Sequence, residues 1–465
     1  MRITSSSSLD KPSTCSTSDP KTAAGHSTSA HVRSGGWASS PSRRESFLAG
    51  HLDIRRCILS KLSGTEWWND FAIELNRDED WTRAARYFDG RIQFKHDSGY
   101  STLAVLAGKV VAVFPEGSPL GGDIVVAGPD EEWQRVVDGK IDWFEALSPG
   151  MGKLTLEGNT VAAWQYVDVM ARAFDAMKRV GKSGESEKIP FSPGPRPSGK
   201  ETTGHYVMVD GIRVYYEEAG EGHPIVCFHA ASQDTLMYRH VLDGLSDEFR
   251  VIAVDAPGHS KTELPADGPF HSLTRHAEFN ERLMDILGLE KPAIIGCSMG
   301  GNLVLELGSR RPEAYGAIVS AEGADYTPTV SEFFLDMLLM NGTEIIGAWS
   351  RSMTGYRTPP DRAREVVWQI SRTTPEVMRG DLTGYANFDK RSEVGKIKAP
   401  VMLLRGDADW LVYQEKVEEA ASRIPGSKIA VLAGTGHYPM TENPLEFCDT
   451  VRSFLHDAGL GRASR

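Results

Sequence analysis

The sequence predicts an α/β fold: a doubly wound, mostly parallel sheet with a smaller α+β unit ahead of it in the chain. Three observations lead there. From residue 204 onward, short apolar strands alternate with helical segments. One of these strands, 291–295, runs into Gly296-Cys297-Ser298-Met299-Gly300-Gly301 and then into the helix-like stretch 302–307. A linker at 181–203, carrying Pro190, Pro193, Pro195 and Pro197, separates this region from an earlier one with a different pattern.

Composition narrows the function classes. The 465 residues are 25% charged and 40% hydrophobic, with a formal net charge of −12 and a pI near 5.6. This acidic balance argues against a nucleic-acid or anionic-membrane surface. No apolar run approaches the roughly 20 residues of a spanning helix. The five cysteines (15, 57, 227, 297 and 448) show neither metal-ligand spacing nor a disulfide framework. A reducing compartment, with cytoplasmic location, is therefore expected, and no cofactor or metal. The terminal Ala463-Ser464-Arg465 is at most a distant relative of the peroxisomal S-K-L signal.

Residues 1–44 are rich in Ser, Thr and Gly, and their composition predicts a disordered tail. Residues 45–180 predict a folded unit. Residues 67–71 and 81–88 read as amphipathic helix ends, and strands fall at 92–94, 103–106, 110–114 and 124–127. A helix at 130–137, a strand at 153–158 and one long amphipathic helix at 161–180 complete it, giving helices packed on one face of a mostly antiparallel sheet. The stretches Asp123-Ile124-Val125-Val126-Ala127-Gly128, Glu131-Glu132-Trp133 and Lys153-Leu154-Thr155-Leu156-Glu157-Gly158 resemble the sterol-carrier-protein type-two family. That resemblance implies an apolar tunnel for an acyl chain, sterol or similar ligand. The alternative is a structural or dimerising domain.

From 204 to the C-terminus the elements follow quickly. Strands at 206–209 and 212–217 flank an Asp210-Gly211 turn, which predicts a hairpin. Buried strands at 224–228 and 250–254 end at His229-Ala230-Ala231 and Asp255-Ala256-Pro257-Gly258-His259-Ser260. A helix at 271–287 precedes the strand at 291–295; further strands are expected at 317–321, 400–404 and 428–432, with about 70 mostly helical residues after 321.

The chemistry is expected where strands end. A G-x-S-x-G between strand and helix lifts Ser298 on a tight turn, while the Met299 N–H at the helix start points the same way. Partners of such a serine follow in the order acid, then histidine. His437 lies on the loop after the last strand; His229 and His259 precede Ser298 and are expected to make structural hydrogen bonds within their loops. Asp409 is chosen as the acid, with Asp407 and, farther off, Asp325 as alternatives. Ser298 would attack a carbonyl carbon, His437 would take its proton and Asp409 would steady the imidazolium. The oxyanion would be held by the N–H of Met299 and one from the 229–231 loop.

With these motifs, residues 204–460 resemble the α/β-hydrolase superfamily. His229-Ala230-Ala231 stands where that family usually has His-Gly-x, so the resemblance gives the second oxyanion N–H to Ala231. A serine at 298 speaks against epoxide hydrolases and haloalkane dehalogenases, which place Asp there. Ser-Met-Gly-Gly is also similar to carbon–carbon bond hydrolases of ring-cleavage products, which usually carry Asn before the Ser and Trp after the His; here Cys297 and Tyr438 stand instead. A lid is expected at about 325–395, where Phe333, Phe334, Met337, Leu338, Met340, Trp349 and Trp368 suggest a bulky hydrophobic substrate. Ala230, Trp349 and Tyr438 are expected to touch it. The expectation is a serine hydrolase of an ester, lactone or diketone C–C bond, with an apolar-ligand domain in front. The alternatives are a lipid-transfer protein with a degenerate hydrolase domain, and a non-hydrolytic lyase or cyclase. The linker leads one to expect halves that fold separately, so that a fragment starting near Gly204 keeps its activity on small esters.

Overall fold

The computed structural model describes residues 64–97, 99–148, 151–181, 194, 197–327 and 330–461, which lie in one compact unit, Arg56–Arg465. The expected tail at 1–44, most of the linker and the C-terminal tripeptide lie outside the described residues.

The first half begins with helices α1 (Thr65–Arg77) and α2 (Glu79–Ala84). Strands β1 (Gly90–His96), β2 (Gly99–Leu106), β3 (Lys109–Phe114), β4 (Ile124–Ala127) and β5 (Thr155–Gly158) form one sheet in the order β3-β2-β1-β4-β5. All pairs are antiparallel except β1 with β4. Alternate residues Ile92, Phe94, Leu103, Val105, Ile124 and Val126 join one core, as the two-residue period of a strand dictates. Helices α3 (Asp130–Val137), α4 (Trp143–Leu147), α5 (Thr160–Gln165) and α6 (Val167–Met177) complete this half. Trp133 lies between Phe94 and Phe174, with ring centroids 5.7 and 5.8 Å away.

The single helix expected at 161–180 is instead two, broken at Tyr166 (φ −110°, ψ 37°). The cause is distant in sequence. The Asn341 amide donates to the carbonyls of Trp164 and Gln165 at 3.3 and 3.0 Å, satisfying the exposed end of α5.

The second half is an eight-stranded sheet. Strands β6 (Thr203–Val209) and β7 (Ile212–Ala219) make the expected hairpin, whose turn places Asp210 and Gly211 at φ 47° and 79°. Then come β8 (Pro224–Phe228), β9 (Arg250–Val254), β10 (Ala293–Cys297), β11 (Ala317–Ala321), β12 (Val401–Gly406) and β13 (Lys428–Leu432). The order is β13-β12-β11-β10-β8-β9-β7-β6, parallel from β9 to β13. Val226 and Ile294 feed one core while Ile225 and Ile295 feed another, so both faces are covered. The covering helices include α7 (Arg239–Leu245), α8 (Leu273–Ile286) and α9 (Met299–Arg310). The order reverses around β8, which opens a crevice at the carboxyl ends of β8 and β10.

Between β11 and β12 the chain inserts α10 (Glu332–Ser352), α11 (Pro360–Ile370) and α12 (Pro375–Ala386). The expectation of independent halves fails here. Leu335, Leu338, Ile345 and Leu382 of the insertion are buried in the same cluster as Trp68, Phe94 and Phe174 of the first half. Arg351 pairs with Asp168 at 2.7 Å across the same junction. A proline-rich linker says nothing about what its flanking elements bury, and here they bury each other. The chain closes with α13 (Gln414–Arg423), α14 (Pro439–Glu442) and α15 (Pro444–Asp457).

Candidate active site

Ser298 sits between β10 and α9 at φ 54° and ψ −115°, a left-handed conformation that costs a residue with a Cβ about 1–2 kcal/mol. Its surroundings enforce it. A Cβ on Gly296 would lie 1.9 Å from the Gly300 carbonyl oxygen, and one on Gly300 would lie 2.2 Å from that of Phe228. The Ser298 N–H donates to Ala321 O at 2.9 Å, tying the turn to the neighbouring strand. Met299 opens α9, so its N–H belongs to the unpaired, positive end of the helix.

His437 and Asp409 come together. Nδ1 of His437 lies 2.7 Å from Asp409 Oδ2, and both residues are buried. Burial works to raise the Asp409 pKa, but the charge and hydrogen bond of His437, with help from Glu322 and the Leu411 N–H, hold it at about 2. Arg405 fixes the acid loop by donating to the Asp409 and Val412 carbonyls. Glu442 fixes the histidine loop by accepting N–H bonds from Gly436 (2.9 Å) and Tyr438 (2.8 Å). Asp407 is exposed and accepts from the Gly434 N–H, while Asp325 is paired with Arg423 at 2.5 Å. Neither reaches His437.

One residue escaped the sequence reading. Glu322, directly after β11, is fully buried beside Asp409, and the two acids with His437 place one ligand atom each within 4.8 Å of one another. Such a set could hold a metal in principle. The 2.7 Å Asp409–His437 contact is nevertheless a direct hydrogen bond, shorter than the roughly 3.3 Å between two ligands sharing a tetrahedral zinc. Burial, then the neighbouring Asp409, push the Glu322 pKa well above the usual range.

The 229–232 loop is anchored from two sides. His229 donates from Nδ1 to Ala230 O, and its Nε2 accepts the Ala256 N–H at 3.0 Å, so it bridges the ends of β8 and β9. Ser232, at φ 64°, donates its N–H to Asp381 Oδ2 at 2.7 Å. Asp381 also pairs with His259 Nε2 at 2.9 Å. His259 makes the expected bond within its own loop, from Nδ1 to Pro257 O at 3.3 Å, and it also reaches α12. Only the position of Asp381 in the folded insertion reveals this, and no sequence signal near His259 announces it.

Ser298, His437, Ala230, Ala231, Trp349 and Tyr438 line one pocket. Asp409 lies behind His437, and Met299 contributes backbone rather than pocket wall. The cavity volume is about 20 Å³, room for about one water. Tyr438 donates its hydroxyl to Ser350 Oγ at 2.8 Å. A larger cleft of about 740 Å³ lies between β13 and α15, lined by Lys428, Asp449 and Asp457 among others. It lacks a nucleophile with a base, so size alone does not make it the site of chemistry.

Comparisons with known proteins address the second half. Residues 225–450 match a family model described as Alpha/beta hydrolase family. A Bacillus subtilis (strain 168) protein, provisionally named 2-succinyl-6-hydroxy-2,4-cyclohexadiene-1-carboxylate synthase, is 27% identical over 273 residues, 54% of this chain and 98% of that one. Carboxylesterase YbfK of the same organism is 25% identical over 242 residues, 50% of this chain and 79% of its own. Among solved structures, a thermophilic esterase from Thermogutta terrifontis aligns with TM-score 0.51 and 21% identity over 55% of this chain and 99% of its own. The enol-lactonase from Burkholderia xenovorans LB400 aligns with TM-score 0.50 and 21% identity, covering 54% of this chain and 100% of its own. At that identity the structures speak for the fold alone. Among the described residues no helix is long and apolar enough to cross a membrane.

Proposed function

We propose, from the match of residues 225–450 to the alpha/beta hydrolase family model, that this protein is a serine hydrolase acting on a carbonyl of a hydrophobic small molecule, an ester, a lactone or the C–C bond of a diketone. The observation that carries the reading is the Asp409–His437 hydrogen bond at 2.7 Å beside a serine held at φ 54° in the same pocket. Ser298 Oγ adds to the carbonyl carbon while His437 Nε2 takes its proton. Asp409 holds Nδ1–H and stabilises the imidazolium. The N–H groups of Met299 and Ala231 receive the oxyanion, and His437 returns the proton to the leaving group. Water then repeats the sequence on the acyl-enzyme.

The inserted helices act as a lid in this reading. Trp349 of α10 and Tyr438 wall a pocket that is apolar apart from the reacting groups and a few hydroxyls, which suits a hydrophobic acyl or alkyl group. The apolar-ligand role that the sterol-carrier resemblance implies for residues 45–180 is kept as part of the proposal. Its support is the mostly antiparallel five-stranded sheet with an apolar face under helices. A second reading, a non-hydrolytic lyase or cyclase, is favoured by the synthase-named relative, since the same base and oxyanion site serve proton abstraction.

Labelling with a fluorophosphonate probe, followed by turnover of aryl esters and lactones, tests the proposal. The wild type should label and turn over, and Ser298→Ala should do neither while keeping its thermal unfolding. Esterase activity retained by Ser298→Ala would refute it; labelling without turnover of any ester or lactone would favour the second reading.

A further inference from the structure

Glu322 is the buried acid that the chemistry above leaves unused, and its bonding dictates its protonation. It follows β11 at φ 46°, with its N–H donating to Leu404 O at 2.8 Å, which locks it against β12. Its Oε1 accepts the N–H of Gly406. Its Oε2 is buried and, among the described residues, no N–H bonds it. Asp409 is richer in donors: Oδ2 accepts from His437 and Oδ1 from the Leu411 N–H at 2.8 Å. The nearest guanidinium, Arg405, spends its donors on the Asp409 and Val412 carbonyls and on Gln414.

Two carboxyl groups this close and this dry do not both carry charge. The proton settles on the one with fewer donors. We propose that Glu322 is a positioning residue for the Asp409–His437 pair: its carboxylic acid O–H donates to Asp409 and fixes which Asp409 oxygen faces the imidazole. This inference rests on the reading of Asp409 and His437 as the acid–base pair. Without Glu322, the Asp409 carboxylate keeps His437 and the Leu411 N–H but loses its neighbour on the β11 side, and with it one restraint on rotation about χ2. The bond also draws charge from Asp409, which polarises its hydrogen bond to the imidazole.

The substitution that separates this role from a merely structural one is Glu322→Gln. The glutamine amide keeps both bonds, with Oε1 accepting from Gly406 and Nε2–H donating to Asp409. Glu322→Leu keeps the volume and loses both. On a small aryl ester, E322Q should hold kcat within about threefold of wild type. E322L should lose about 10- to 100-fold in kcat with KM little changed, the scale of one hydrogen bond to a charged group. Equal losses in the two variants, or no loss in E322L, would overturn the proposal.

A second measurement needs neither turnover nor E322L to fold. The infrared difference spectrum of wild type minus E322Q at pH 7 should contain the C=O stretch of a protonated carboxylic acid. A carboxylate band in its place would overturn the proposal. A wild type that neither labels with fluorophosphonate nor turns over esters would instead refute the hydrolase reading, and the infrared band would still decide the state of Glu322.

Discussion

The ring of Phe144, from α4 of the first half, lies flat on the indole of Trp349, with centroids 5.1 Å apart and planes 13° apart. Trp349 in turn walls the pocket that holds Ser298 and His437. The first half of the chain therefore buttresses the active-site wall. Trp143, Trp164, Phe334 and Trp410 also surround Phe144.

Phe144→Ala should destabilise the protein by about 3–5 kcal/mol, the usual cost of emptying a buried aromatic site. It should also raise KM for bulky esters more than for acetate esters, because the indole wall loses its backing. Denaturant titration and paired kcat/KM measurements check both halves. Equal KM changes for both esters would break the link from Phe144 to the pocket.

A fragment starting near Gly204 would uncover Leu335, Leu338 and Ile345, which the first half now buries. Such a fragment should aggregate or melt well below the full chain, in contrast to what the linker alone suggests. Size-exclusion chromatography and thermal unfolding decide it, and a monomeric fragment with the full-length Tm would refute the shared core.

Asp409→Asn should lower kcat by several orders of magnitude, on the order of 10⁴ for loss of the acid of such a triad. Asp407→Asn should change kcat less than about threefold, because Asp407 is exposed and only holds the Gly434 N–H. The reverse ranking in steady-state kinetics would move the acid to Asp407.

Acid should unfold this protein through its buried neutral histidines. Burial, with repulsion from neighbouring histidines, lowers His276 to about 4, and both of its ring nitrogens lack hydrogen-bond partners. Between pH 6.5 and 4 the unfolded chain binds this proton and the folded one does not, so stability falls as pH falls through that window. The limit is about 3 kcal/mol for this residue. His259 opposes the trend, since Asp381 raises its pKa against the effect of burial; the stability it adds is present at acidic pH and is lost as pH rises through its folded pKa. His276→Phe, next to Phe270, should therefore flatten the decline of Tm from pH 6.5 to 4. An unchanged slope would exonerate His276.

Much of this architecture was legible because it is local. The Asp210-Gly211 turn, the apolar strands and the glycines around Ser298 each carry their own reason in adjacent residues, and the Asp409 loop follows from its position after a strand. What escaped depends on contacts between distant segments. Glu322 meets Asp409 only because β11 pairs with β12, and His259 meets Asp381 only because α12 folds over the crevice. The break at Tyr166 needs an asparagine from the insertion. The apolar residues at 333–349 were legible as apolar, but composition could not say that Leu335 and Leu338 face the first half rather than a substrate.

A cavity with room for one water sets a thermodynamic condition on binding. A substrate larger than one water needs the pocket walls to part, and its apparent Kd exceeds the intrinsic one by the inverse of the fraction of protein in which they have. The Phe144–Trp349 stack lies in one of those walls. A substitution in α4 acts on that wall from outside the pocket, and the surface it takes from a bulky substrate is read in KM. None of the proposed reacting groups lies in the first half, yet its Phe144 backs the wall that a substrate would meet.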